Sequence, residues 1–191
     1  MSYNLDKTGA EVDRDMKEGL DNQPKVNVVW DDLKAPATVL RQGATTKPDF
    51  DATNMGLLFP QNDPAEIAYS ILQFPHAYKE GSNIKPHIHF TQSVADEPVF
   101  KIDYRWYNVG DDAGGVFTTL TSNGFSQTWT SGDLANIATF PEIEGTSMKL
   151  SSIFEVRIYR DDNVVSGDVL VKEFDIHYQI DSNGSRQEFV K

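Results

Sequence analysis

Three segments of this chain alternate apolar and polar residues with the period of a β-strand. No other feature of the sequence constrains the fold as strongly. Over residues 100–107, Phe100, Ile102, Tyr104 and Trp106 fall on one side, and Lys101, Asp103, Arg105 and Tyr107 on the other. Over 153–160, Phe154, Val156 and Ile158 oppose Glu155, Arg157 and Tyr159. Over 173–180, Phe174, Ile176, Tyr178 and Ile180 oppose Glu173, Asp175, His177 and Gln179. Successive side chains of a strand point to opposite faces, so each apolar row can share a core while each polar row faces away from it. The mixed-sign polar rows suit cross-strand ion pairs.

From Pro24 onward, short apolar or alternating runs recur between clusters of turn residues such as QGATTKP, PQNDP, EGSNIKP, GDDAGG and DSNG. The expected strands are 25–33, 37–42, 55–59, 66–74, 87–92, 99–108, 116–121, 126–130, 152–160 and 169–180. The stretch LANIATFP, opening at Leu134, reads as loop or edge strand. With many short strands and no alternation of strand with helix, the chain is expected to be all-β: an antiparallel sandwich, of jelly-roll type, over 24–191. Residues 1–23 are polar, with Val12, Met16 and Leu20 at helical spacing. That stripe is too thin to hold a helix alone in water, so this segment is expected to be an arm, flexible or briefly helical, that docks on a neighbouring subunit.

The charge balance narrows the partners. With 17 basic against 29 acidic residues, the net charge is −12. Nucleic-acid binding needs a basic footprint, so nucleic acid is not expected as a partner. The N-terminus lacks the basic, apolar and small-residue succession of a secretory signal, and no apolar run is long enough to span a bilayer, so no membrane partner is expected. There is no cysteine, which removes disulfides, thiolate metal sites and cysteine nucleophiles.

The four histidines carry the best chemical signal. His87 and His89 are two apart in PHIHF, so on a strand they share a face. That geometry offers two imidazoles to one metal ion. His177 lies on the polar row of the last strand and could be a third ligand, oriented by Asp175. His87, His89 and His177 are therefore expected to lie close together, with a divalent metal as the possible cofactor. The spacing of Gly81, His87 and His89 resembles the opening of the motif of the cupins, jelly-roll proteins whose metal sits between the sheets. The glutamate that should follow soon after the second histidine is absent, since Phe90, Thr91, Gln92 and Ser93 stand there. A cupin-like metal-binding protein or enzyme is thus the minority reading. No nucleophile elbow, phosphate loop or spaced calcium loop occurs, and the main expectation is that the chain is not an enzyme. Trp30, Trp106 and Trp129, with the polar and aromatic residues of 111–130, could instead present a sugar platform. Core packing is the competing role for these tryptophans.

Taken together, VVWDDLKAPAT, MGLLFPQNDPAE, QFPHAYKEGSNIKPHIHF, EFDIHYQI and the ending DSNGSRQEFVK resemble a family encoded in tailed phages and prophages. Its marks are a Pro-His-x-His-aromatic string and a C-terminal Gly-Ser-Arg-Gln-Glu-aromatic tail. The resemblance covers Trp30 to Lys191 and implies a structural protein of the virion, made in the host cytoplasm: capsid decoration, head fibre or tail fibre. It supplies no catalytic residues. A homotrimer docked on other virion proteins, such as major capsid or tail proteins, would suit such a role. Arg186 and Glu188, too polar for a core, would then pair at a subunit contact, with Val12, Met16 and Leu20 in the arm. A glycan-binding module at a fibre tip is compatible with the same reading.

Overall fold

A computed structural model describes residues 28–181, apart from 62, 94–96, 129, 131–132 and 163–166, together with Gly184. The arm positions Val12, Met16 and Leu20, the tail positions Arg186 and Glu188, and Trp129 lie outside the described residues. Within them the secondary structure is strand and turn: β1 (Val29–Pro36), β2 (Arg41–Gln42), β3 (Asp49–Asp51), β4 (Gly56–Phe59), β5 (Ala68–Gln73), β6 (Lys85–Gln92), β7 (Phe100–Tyr107), β8 (Thr118–Thr121), β9 (Gly124–Phe125), β10 (Leu134–Thr139), β11 (Ile153–Arg160) and β12 (Val169–Ile180).

These strands form two antiparallel sheets. One runs β3-β4-β12-β6-β10-β9, with β1 also on β12, and the other runs β2-β5-β11-β7-β8. The pairs β7·β8, β6·β10, β5·β11 and β4·β12 are nested in sequence around the β7–β8 connection. The outer three of these pairs fall alternately in the two sheets. A long hairpin rolled up in this way is a jelly roll, as the sequence pattern predicted.

The core lies between the sheets. Phe59, Ile88, Phe90, Phe174 and Ile176 enter from the first sheet, and Phe100, Ile102, Phe154, Val156 and Ile158 from the second, all fully or almost fully buried. Each such side chain contributes about 1.5–3 kcal/mol by leaving water. Tyr104 and Trp106 complete the predicted apolar row of β7 but are only partly buried against this core.

Several local expectations are corrected. The run 37–42 is not one strand: Val39 and Leu40 donate their N–H groups to the carbonyl of Pro36, so the chain turns and crosses between the sheets before β2. The short β3 was not anticipated. Leu134–Thr139 is an interior strand between β6 and β9, not a loop or an edge. The buried Asn136 interrupts its apolar row and hides the pattern. That amide is satisfied locally, because Asn136 Nδ2 donates to Gln127 O at 2.8 Å while its Oδ1 accepts from Gln127 N and Ser126 Oγ at 3.0 Å. Ser126 and Gln127 serve this side chain, and the described residues of 126–130 form no strand; the two-residue β9 lies just before them.

The last inward position of β11 is Arg160, whose side chain is wholly buried. Its guanidinium holds Asp162 through two bonds of 2.7 and 3.0 Å. It also donates to the carbonyls of Phe59 and Gly167 at 3.1 and 2.7 Å. Asp162 in turn accepts the N–H of Val99 at 2.8 Å. This charged clamp joins the end of β4, the approach to β7 and the loop before β12.

Candidate functional site

Two sites emerge, one on the outer face of the first sheet and one at the open edge of the second. The first is built by β6 and β12, which are hydrogen-bonded neighbours with Asp175 opposite His87, Glu173 opposite His89 and His177 opposite Lys85. Ile88, Phe90, Phe174 and Ile176 take the core side of these strands. Strand alternation therefore sets His87, His89, Glu173, Asp175 and His177 on the opposite face.

The three predicted histidines do converge. The ring centroids of His87 and His177 are 4.2 Å apart, and those of His87 and His89 are 5.1 Å apart. Their carboxylate partners differ from the expectation. Asp175 does not orient His177; it sits between the other two, with Oδ1 against His87 Nε2 and Oδ2 3.2 Å from His89 Nε2. His177 Nε2 instead meets Asp32 Oδ1 at 3.0 Å. The register explains this, since Asp32 of β1 lies directly opposite His177. Nor is this a cupin centre: the two histidines of the His-x-His pair face away from the space between the sheets. Gly81, which opened the cupin-like spacing, is a turn residue with φ of +78°, where a side chain would be strained. The remaining histidine, His76, lies apart, with Nε2 3.4 Å from Ser151 Oγ.

The cluster is steeply graded in exposure. The side chains of His87 and Asp175 are only 5% and 3% exposed, whereas His89 is 39% exposed. Burial works against a charged His87, but the adjoining carboxylate of Asp175 outweighs it and raises its pKa above the usual histidine range. His177 is pushed the other way, by burial and by the neighbouring His87. Glu173 is raised by burial, by the charge of Asp175 and by a hydrogen bond to it. Among the described residues, His87, His89 and Asp175 are the group whose ligand atoms could hold a metal ion.

The second site exists because β8 is shorter than β7. It pairs with β7 only from Lys101 to Tyr104, which leaves the strand edge from Arg105 to Tyr107 uncovered on that side. Tyr104, Arg105, Trp106 and Tyr107 line a cleft of about 270 Å³ there, together with Asp112, Gly115 and Val116 and with Ile143, Glu144 and Met148. The walls are tied together. Asn108 Nδ2 donates to Ser147 O at 3.1 Å and its Oδ1 accepts from Lys149 N at 2.9 Å. Arg105 Nη1 donates to Gly115 O at 3.2 Å, and Arg105 Nε bonds Glu155 at 2.8 Å. Tyr107 Oη donates to the other oxygen of Glu155 at 2.8 Å. Trp106 is fixed from behind by stacking on Phe74 at 4.7 Å and by its Nε1 donating to Ser152 Oγ at 2.8 Å. Of the tryptophans considered for a sugar platform, Trp106 is at this cleft, and Trp30 is in the other sheet, 39% exposed beneath Lys85. Sequence patterning missed Tyr107 as a companion of Trp106, because the two fall on opposite rows of β7.

No protein-family model and no curated protein sequence matches the chain. Among solved structures, it is similar to a carbohydrate-binding module, CBM36, in complex with calcium and xylotriose. That similarity is at 15% identity and a TM-score of 0.42, covering 75% of this chain and 98% of the module. It is also similar to the CBM36-1 domain of a multidomain xylanase from the hindgut metagenome of Trinervitermes trinervoides, at 10% identity and 0.40, covering 81% and 100%. A third is the enzymatically active domain of tailspike protein 4 of bacteriophage CBA120, at 8% identity and 0.35, covering 79% of this chain and 19% of that one. Likeness at this level concerns β-sandwich architecture and assigns no residue a role.

Proposed function

We propose that this chain is a non-catalytic glycan-binding module, carried by a tailed-phage particle. The observation that carries the reading is the cleft at the open edge of β7. A sugar ring has an apolar face of C–H groups and a rim of hydroxyls. The cleft offers the matching surface, with Tyr104, Trp106 and Tyr107 supplying aromatic area, and Arg105, Asp112 and Glu144 supplying charged hydrogen-bonding groups. Its walls are cross-tied before any ligand arrives, which limits the ordering cost of binding. The tailed-phage resemblance of the sequence supports the setting, in which weak single-site binding would be multiplied by many copies on one particle.

A glycan array probed with the full chain tests the first part. Binding to a defined set of glycans is expected, weakened about tenfold by Tyr107→Ala, which is about 1.4 kcal/mol. An array without binders, or binding indifferent to Tyr107→Ala, would overturn it. Release of shortened sugar from a bound glycan would overturn the non-catalytic part. Mass spectrometry of purified particles tests the setting, and absence of the chain from them would remove it.

A further inference from the structure

We infer that His87, His89 and Asp175 form a binding site for a first-row divalent transition metal of the zinc type, on the outer face of the first sheet. This site is separate from the proposed glycan cleft and stands on different observations.

Convergence is the first of these. One nitrogen from each imidazole and one carboxylate oxygen all lie within 4.8 Å of one another. A tetrahedral ion with bonds of about 2.0–2.1 Å needs its ligand atoms about 3.3 Å apart. The 3.2 Å between His89 Nε2 and Asp175 Oδ2 already has that length. Both histidines present Nε2 to the same carboxylate, and the strand register holds them there, because His87 and Asp175 are directly opposed and His89 is the next residue on the same face.

Unsatisfied polarity is the second. Asp175 is almost wholly buried, and its Oδ1, though in contact with His87 Nε2, has no hydrogen bond of acceptable geometry. Two imidazoles share one carboxylate, with a third imidazole 4.2 Å from the first. The other ring nitrogen of His87, Nδ1, lies 3.4 Å from the carbonyl oxygen of Lys85, which suits the tautomer that leaves Nε2 free to bind an ion. A divalent ion accepts both nitrogens and the oxygen at once. Imidazole with a carboxylate selects a zinc-like or other transition ion over magnesium or calcium, which prefer all-oxygen sites.

Access is the third. His89 also borders a hollow of about 380 Å³ lined by Thr91, Gln127, Ala135, Ile137 and Lys172. An ion held by three protein ligands can take its remaining ligand from that side. His177 is assigned no coordination bond, since its Nε2 is engaged by Asp32.

The test is titration of the chelator-treated full chain with Co²⁺ and Zn²⁺, followed by calorimetry and by the visible absorption of bound Co²⁺. One ion per chain is expected, with the intense absorption of a low-coordinate nitrogen and oxygen site, and a rise in thermal midpoint on loading. His89→Ala is expected to lower affinity at least a hundredfold. It replaces a half-exposed residue, so a preserved far-UV spectrum and melting transition in its absence of metal confirm the fold. Asp175→Asn should lose the absorption band, while His177→Gln should keep both stoichiometry and band. No binding at millimolar Co²⁺, or binding unchanged in His89→Ala, would overturn the site. Equal loss in His177→Gln and His89→Ala would overturn the assigned ligand set. None of these outcomes depends on whether the chain binds glycans.

Discussion

Removing the carboxylate of Asp162 should be among the most damaging single changes in the described domain. In the folded chain Arg160 is fully buried and bonded to both oxygens of Asp162, and Asp162 also accepts the N–H of Val99. Asp162→Ala removes both of the buried guanidinium's bonds to the carboxylate, while those to the neutral carbonyls of Phe59 and Gly167 remain. Breaking a buried ion pair from one side costs about 3–5 kcal/mol, because the remaining charge keeps its desolvation penalty and loses its compensation. For a domain of this size that corresponds to a fall in thermal midpoint of about 6–20 °C. Urea unfolding followed by tryptophan fluorescence measures the free energy, and scanning calorimetry the midpoint. Replacing both partners, in Arg160→Met/Asp162→Ala, removes the buried charge and should recover more than half of the loss. The reasoning is refuted if Asp162→Ala costs under about 1 kcal/mol, or if the double variant is less stable than the single one.

Other consequences can be checked with the same instruments. Phe174→Ala, at a fully buried core position, should cost about 3–5 kcal/mol in urea unfolding, the usual loss for a large aromatic in a sandwich core. Gly145→Ala should destabilise the fold and distort the cleft wall: its Cβ would lie 2.0 Å from the carbonyl oxygen of Ser82 and 2.7 Å from Tyr78 Oη, so backbone must move. A variant as stable as the parent would show that this close approach is not needed. Glu155 titrates below its ordinary range: burial alone would raise it, but bonds from Tyr107 and Arg105 and the charge of Arg105 prevail. A lowered folded pKa adds stability above the unfolded value of about 4.3 that is lost as the pH falls through the folded value. Stability measured from pH 6 down to pH 3 should therefore drop less steeply in Glu155→Gln than in the parent, and parallel curves would contradict the assignment.

What was legible in the sequence follows from what period-two alternation encodes. The rows of β7, β11 and β12 were readable because each apolar row runs unbroken into one core. Neighbouring strands were less so. Asn136 looks like a break in an apolar row, and only its bonds to Ser126 and Gln127 make it a core position of β10. Arg160 reads as the polar end of β11, yet it is buried because Asp162 is buried with it. The histidine cluster was found because His-x-His on a strand and a third histidine on the last strand require only that β6 and β12 be neighbours. The central role of Asp175 was not readable, since it depends on which residue faces which across the pair. A slip of two residues would have put His177 opposite His87 instead.

That register rests on one irregularity in β12. Val169 and Val171 face the core, and so do Phe174, Ile176 and Tyr178, yet the first pair is odd-numbered and the second set even-numbered. The parity changes at a bulge between Val171 and Glu173, where Lys172 is the extra residue. On its other edge, β12 hands over from β4 to β1 at the same place: Val171 pairs with Leu57, and Glu173 with Pro36. Without the bulge, the strand would turn Glu173, Asp175 and His177 toward the core and Phe174, Ile176 and Tyr178 toward solvent. Burying those polar groups would cost far more than the unpaired residue does. Deleting Lys172 is therefore a sharper perturbation than any substitution near it. It forces a choice between the inward rows on the two sides of the bulge, and the longer one, with Phe174, Ile176 and Tyr178, wins. The chain then either loses the pairing of β4 with β12 while Asp175 stays opposite His87, or fails to fold and loses both.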